Sequence, residues 1–157
     1  MANLEDTLYL DLDTGDSTGR VVIELLTDKA PNHTARIKEL AREGYYDGII
    51  FHRVIDGFMA QGGDPTGTGM SGSGQKLKQE FNDTPHVRGI CSMARSQSPD
   101  SADSQFFICF GDAGFLDNQY TVWGMVTEGM EHVDALPKGE PPVEPGKIVK
   151  MQVAADA

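Results

Sequence analysis

Phe51-His52-Arg53-Val54-Ile55-Asp56-Gly57-Phe58-Met59-Ala60-Gln61-Gly62-Gly63-Asp64 is the stretch that says most about this chain. Two short runs of strand-forming residues flank Ile55-Asp56-Gly57, a turn sequence, and together they predict a β-hairpin. Period-two alternation then assigns Phe51 and Arg53 to one face of the first strand, and Met59 and Gln61 to one face of the second. An arginine and a glutamine among apolar residues, close to a turn, need polar partners. Taken in isolation, the simplest partner for Arg53 is a surface carboxylate.

The same short-strand pattern extends in both directions. The 18 glycines fall between apolar runs rather than in a block, as in a chain of many short strands and tight turns. Thr7–Leu12 alternates with Leu8, Leu10 and Leu12 on one face, a turn over Asp13–Gly19 follows, and Arg20–Leu25 returns. Ile49–Val54, Phe58–Gly62, Ile90–Ala94, Gln105–Phe110, Thr121–Val126 and Ile148–Val153 also read as strands. Pro31–Arg42 predicts a helix, with Pro31 at its first position, an apolar stripe of Ile37, Leu40 and Ala41, and Gly44 to end it. A short second helix is expected at Glu131–Leu136, stopped by Pro137, and Lys138–Gly146 with its three prolines is expected to be a surface loop. The connections are mostly too short for parallel crossovers. The expectation is a mainly all-β protein: about eight antiparallel strands closed into a barrel, with two α-helices.

Length and charge bound the function. At 157 residues the chain fits a single domain over 1–157, with short polar tails at about 1–6 and 154–157. A composition 39% hydrophobic and 24% charged is globular rather than disordered. A net charge of −11 and no Lys/Arg run argue against nucleic acid as a partner. No stretch approaches a membrane span or a secretory leader, and Cys91 and Cys109 sit in apolar runs as buried, inert thiols. These features together lead us to expect a cytoplasmic protein, monomeric by default and with no membrane partner.

The hydrolytic and metal chemistries find little support. There is no G-x-S-x-G elbow, and His33, His52, His86 and His132 are scattered without C-x-x-C or H-E-x-x-H spacing, so neither a nucleophile nor a metal or other cofactor is expected. His52 is expected to be a hydrogen-bonded structural residue. A further run, Ser104-Gln105-Phe106-Phe107-Ile108-Cys109, puts Gln105 and Phe107 on one face and Phe106 and Ile108 on the other. Phenylalanine on both faces implies that one ring lies outside the interior, where an aromatic marks a binding surface.

Phe51–Asp64, Ser101–Cys109 and Phe115-Leu116-Asp117 each resemble motifs of the cyclophilins, in that family's order. Gly89–Ala94 and Glu128-Gly129-Met130 match as well, and the resemblance runs from about Leu8 to Val153. It implies a closed eight-stranded barrel capped by two helices, with a groove on its outer face that isomerises Xaa-Pro peptide bonds in proline-containing peptides and in unfolded or folding proteins. Carried over residue by residue, it makes Arg53 the catalytic arginine and Gln61 its orienting partner. Phe58, Met59, Phe107 and Leu116 would line the pocket for proline, the backbone of Ala94 and Arg95 would pair with the extended substrate, and Gln105 would add polar contacts. His52 would support from beside the groove, with Gly67 and Thr68 on its rim. Three positions depart from the pattern: Phe115 stands where many members have Trp, Arg95 where many have Asn, and Tyr120 where many have His. Phe115 lacks the indole donor, so weakened binding of cyclosporin-type inhibitors with retained activity is expected. The rival role is a non-catalytic proline-peptide-binding or chaperone module using the same groove.

Overall fold

Leu8, Leu10 and Leu12 alternate along the first strand, and all three are completely buried, which commits that strand's inner face to the core. The computed structural model describes residues 3–157 and contains eight strands: β1 (Thr7–Asp13), β2 (Thr18–Leu25), β3 (Arg53–Ile55), β4 (Met59–Gly62), β5 (Ile90–Met93), β6 (Phe106–Cys109), β7 (Val122–Glu128) and β8 (Lys147–Val153). All pairings are antiparallel, in the order β3-β4-β6-β5-β7-β2-β1-β8. The core lies inside the curl of this sheet, around Trp123, Phe51, Phe106 and the leucines of β1.

The sheet is open, a half-barrel rather than the expected closed barrel, because β3 and β8 form no ladder with each other. A single bridge between Ile50 and Lys147, with bonds from Phe51 N–H to the Gly146 carbonyl (2.9 Å) and from Ile148 N–H to the Ile49 carbonyl (2.8 Å), spans the gap. β3 is only three residues long, and Pro141, Pro142 and Pro145 ahead of β8 have no N–H with which to lengthen a ladder. For the same reason the expected strand over Ile49–Val54 begins only at Arg53. Phe51 turns into the core and does not share a face with Arg53.

Helix α1 (Pro31–Arg42) buries Ile37, Leu40 and Ala41 against the sheet, as its stripe predicts. Its first-turn donors are met from outside the helix, since the Glu80 carboxylate accepts from the N–H groups of Asn32 (3.2 Å) and His33 (2.8 Å). Helix α2 runs over Met130–Asp134, starting one residue and ending two residues before the expected Glu131–Leu136, and buries Val133. The chain ends are less free than polar tails, though Met1 and Ala2 of the expected tail at 1–6 lie outside the described residues. Arg42 on α1 holds Glu5 (2.9 Å) and Asp156 (2.9 Å), and Ala154 is buried.

Candidate active site

The β3–β4 hairpin puts two polar side chains side by side. Its turn passes through Gly57 at φ +75°, a conformation glycine adopts without strain, and the register pairs Arg53 with Gln61 and Ile55 with Met59. Arg53 Nη1–H donates to Gln61 Oε1 (3.3 Å), and Arg53 Nε–H donates to the Glu140 carboxylate (3.1 Å). The surface carboxylate expected for Arg53 is therefore present, alongside the glutamine.

A relay of amides continues away from the arginine. Gln61 Nε2–H donates to Gln105 Oε1 (3.0 Å), and Gln105 Nε2–H donates to the carbonyls of Gly69 (2.9 Å) and Ser71 (3.0 Å). Those carbonyls belong to a loop organised by Asp64. Its carboxylate accepts from the N–H groups of Thr66 (2.8 Å), Gly69 (2.7 Å) and Ser71 (3.2 Å), and from the hydroxyls of Thr66 (2.8 Å) and Thr68 (3.3 Å). Complete burial alone would raise the Asp64 carboxyl, but these donors outweigh it and hold the group at about 2.

β4 and β6 turn a second apolar face outward. Met59, Phe107, Cys109, Ala113 and Leu116 form a cluster separate from the main core, with Ile55, Phe58, Ala94 and Tyr120 packed at its margin. This is why phenylalanine stands on both faces of β6: Phe106 fills the core, and Phe107 floors a hollow outside it. The hollow has a volume of about 140 Å³ and is walled by Phe58, Met59, Leu116 and Tyr120, with Arg53 and Gln61 on one rim. Tyr120 meets the Phe107 ring edge-on at 5.7 Å, and Phe115, 68% exposed, extends the wall from Phe58 at 5.6 Å. Arg95 lies over Tyr120 at 4.7 Å, its Nε–H bonded to the Gln119 carbonyl (2.9 Å) and Nη1–H to that of Ser96 (2.9 Å). It separates this hollow from a neighbouring one of about 290 Å³ lined by Met70, Ser71, Lys76 and Asp103.

Beneath Phe107 lies a polar trio that the sequence did not reveal, with His86 and Ser92 buried and Asp117 half-buried. The His86 ring stacks on Phe107 (6.1 Å, 19°), its Nδ1 faces Asp117 Oδ1 (2.9 Å), and its Nε2 faces Ser92 Oγ (3.0 Å). A carboxylate only accepts, so Nδ1 carries the hydrogen. The His86 backbone N–H and this ring contact hold the Asp117 carboxyl below its ordinary range. Serine, histidine and aspartate here resemble a hydrolytic triad in composition only. Ser92 is fully buried and donates to the Thr121 carbonyl (3.0 Å), so its oxygen meets no substrate. The thiols of Cys91 and Cys109 are buried too, the latter pushed up to about 12 by desolvation, which leaves them protonated and unreactive.

Several expected residues sit differently. Gly67 and Thr68 are not among the residues lining either hollow; Gly69 and Met70 line the larger one, while Thr68 serves the Asp64 network. His52 is buried, with its Nδ1 unpartnered among the described residues. The Ala94 N–H is spent on the Gln105 carbonyl (3.0 Å). Glu140 and Asp64 escaped sequence reading because each acts through a loop whose path the strand pattern does not fix.

The site thus combines a guanidinium held by a glutamine relay with a hollow walled by aromatic and aliphatic side chains, and no group of three or more potential metal ligands occurs among the described residues. The comparisons agree. Residues 9–153 match the family described as cyclophilin type peptidyl-prolyl cis-trans isomerase/CLD. A probable peptidyl-prolyl cis-trans isomerase of Brucella suis is 47% identical, the match covering 99% of this chain and 86% of that protein. A peptidyl-prolyl cis-trans isomerase of Schizosaccharomyces pombe is 42% identical over 85% of this chain and 92% of that one. Among solved structures, a cyclophilin from Hirschia baltica superposes with a TM-score of 0.89 at 29% identity, over 99% of this chain and 76% of that chain. A cyclophilin-type isomerase from Cryptosporidium parvum, crystallised in the presence of the dipeptide Ala-Pro, gives 0.85 at 30% identity, over 94% and 98%. The chain belongs to the cyclophilin-type peptidyl-prolyl cis-trans isomerases, and its activity is the cis/trans isomerisation of Xaa-Pro peptide bonds.

Proposed function

We propose that Arg53 catalyses this isomerisation without covalent chemistry, with the proline ring seated in the hollow floored by Phe107. Rotation about a prolyl bond breaks amide resonance across a barrier of about 18–20 kcal/mol and takes roughly 10–100 s unaided. In the twisted transition state the proline nitrogen regains its lone pair and accepts a hydrogen bond that it cannot accept when planar. A guanidinium, always protonated, is a donor that meets this nitrogen better in the transition state than in the ground state. Turnover at about 1–10³ s⁻¹ requires lowering the barrier by roughly 2–7 kcal/mol, and one bond from a charged donor contributes about 1.5–3 kcal/mol. The remainder falls to the apolar hollow, where Phe58, Met59, Phe107 and Leu116 hold one end of the bond still and exclude the water that stabilises the planar amide.

The observation that carries this reading is the placement of Arg53, oriented by Gln61, at the rim of an aromatic hollow. The substrates are proline-containing segments of unfolded or folding proteins, paired along the Ala94 carbonyl and Arg95 N–H. The whole chain, 1–157, acts as one isomerase domain and as a monomer, in a cytoplasmic setting supported by two free, buried thiols. Cyclosporin-type inhibitors bind weakly, because Phe115 presents no donor. Exchange NMR on a Xaa-Pro peptide tests the reading: catalytic amounts of protein should bring cis and trans resonances into rapid exchange. Shifted peptide resonances without faster exchange would instead mark a non-catalytic binding module.

A further inference from the structure

Arg53 has acceptors on both sides. Strand β4 brings Gln61 opposite it, and on the other side Val54 and Gly139 exchange both backbone hydrogen bonds at 2.8 Å each, an antiparallel bridge. That register sets Glu140 directly across from Arg53, and the carboxylate takes Nε–H at 3.1 Å while Gln61 takes Nη1–H at 3.3 Å.

We propose that Glu140 is a positioning residue for the isomerase, fixing the plane of the Arg53 guanidinium so that its remaining donors face the prolyl amide. A guanidinium held at one nitrogen can swing about that bond; held at two nitrogens on different edges of its rigid fork, it cannot. Both Nη2 hydrogens and the second Nη1 hydrogen are then left for substrate.

The segment that carries Glu140 is built to hold it still. Gly139 adopts φ +145°, and a Cβ there would lie 2.6 Å from the Pro142 Cα, so only glycine fits. Pro141 and Pro142 follow with fixed φ. On the other side, Lys138 Nζ donates to the carbonyls of Asp134 (2.7 Å) and Leu136 (2.9 Å). A purely structural ion pair is the alternative role, but with side chains 43% and 58% exposed the pair adds little to stability. Stability and turnover therefore separate the two roles.

The proposal rests on Arg53 being the donor to the prolyl nitrogen, so both are tested together. kcat and KM are measured by exchange NMR on an Ala-Pro-containing tetrapeptide for wild type, Glu140→Ala, Glu140→Gln, Arg53→Ala and the double variant Arg53→Ala/Glu140→Ala. Glu140→Ala should lower kcat about three- to tenfold with KM within about twofold and thermal stability unchanged, because misplacing a catalytic donor costs rate while losing an exposed pair costs little stability. Glu140→Gln keeps an acceptor and should stay within about twofold of wild type, and removing Glu140 from Arg53→Ala should have no further effect. Wild-type kcat in Glu140→Ala beside a crippled Arg53→Ala would overturn the role of Glu140 alone. An equal loss from removing Glu140 in both backgrounds would overturn it as well. Full turnover by Arg53→Ala would instead remove the premise.

Discussion

Replacing Asp64 with asparagine should unfold the groove's support from behind. The carboxylate serves five donors, with one oxygen bound by Thr66 N–H and hydroxyl and the other by Gly69 N–H, Ser71 N–H and the Thr68 hydroxyl. Asparagine offers one oxygen. With that oxygen toward Gly69 and Ser71, its NH₂ faces the Thr66 N–H, and one part-buried backbone donor loses its acceptor, at up to about 1–3 kcal/mol. Linkage gives a second route to the magnitude: lowering the carboxyl from 3.8 to about 2 corresponds to about 2.5 kcal/mol of native stability. The folded value is the depressed one, so this stability is complete above about pH 4 and is lost as pH falls toward about 2. Urea unfolding at pH 7 should show Asp64→Asn less stable by about 2–3 kcal/mol, with a flatter profile than wild type between pH 4 and 2. Activity should fall less than stability, since the Gly69 and Ser71 N–H groups keep an acceptor and their carbonyls go on holding Gln105. A variant within 0.5 kcal/mol of wild type, with the same acid profile, would refute the claim that this carboxylate organises the loop.

Two further outcomes follow from the same geometry. His33 is fully buried and held below its ordinary 6.5 by desolvation, only partly offset by the Lys78 carbonyl at 2.9 Å. Its folded value is depressed, so stability present above pH 6.5 should decline as pH falls below it, and thermal melts from pH 7.5 to 5 should show a gentler decline for His33→Gln. Restoring an indole with Phe115→Trp should tighten cyclosporin binding at least several-fold in a calorimetric titration while leaving isomerase turnover within about twofold, because Phe115 lies on the exposed outer wall and contributes no donor. Unchanged affinity would rule out the missing donor as the cause.

The strands, the long helix and the groove's polar face were legible because each rests on local periodicity. The leucines of β1 and the paired phenylalanines of β6 declare their faces within a few residues. Closure was not legible. Whether β3 meets β8 depends on prolines in the 138–146 loop and on a bend before Arg53 that hides Phe51 in the core, and period-two counting detects neither. Gln61 and Gln105 were visible on their strands, but the Asp64 loop that fixes them, and the His86–Ser92–Asp117 support beneath Phe107, join residues far apart in the chain. Glu140 illustrates the same point. A surface carboxylate for Arg53 was the simplest expectation, yet only the Val54–Gly139 bridge identifies which one.

Arg53 is the centre of the account, and the rate of Xaa-Pro exchange catalysed by Arg53→Ala tests it most directly. Measured by exchange NMR at saturating peptide, kcat should fall by at least about tenfold, the equivalent of one charge-assisted hydrogen bond, while KM changes little because Phe107, Met59 and Leu116 still seat the proline. Turnover equal to wild type would contradict it, and would leave the hollow alone to account for the isomerisation.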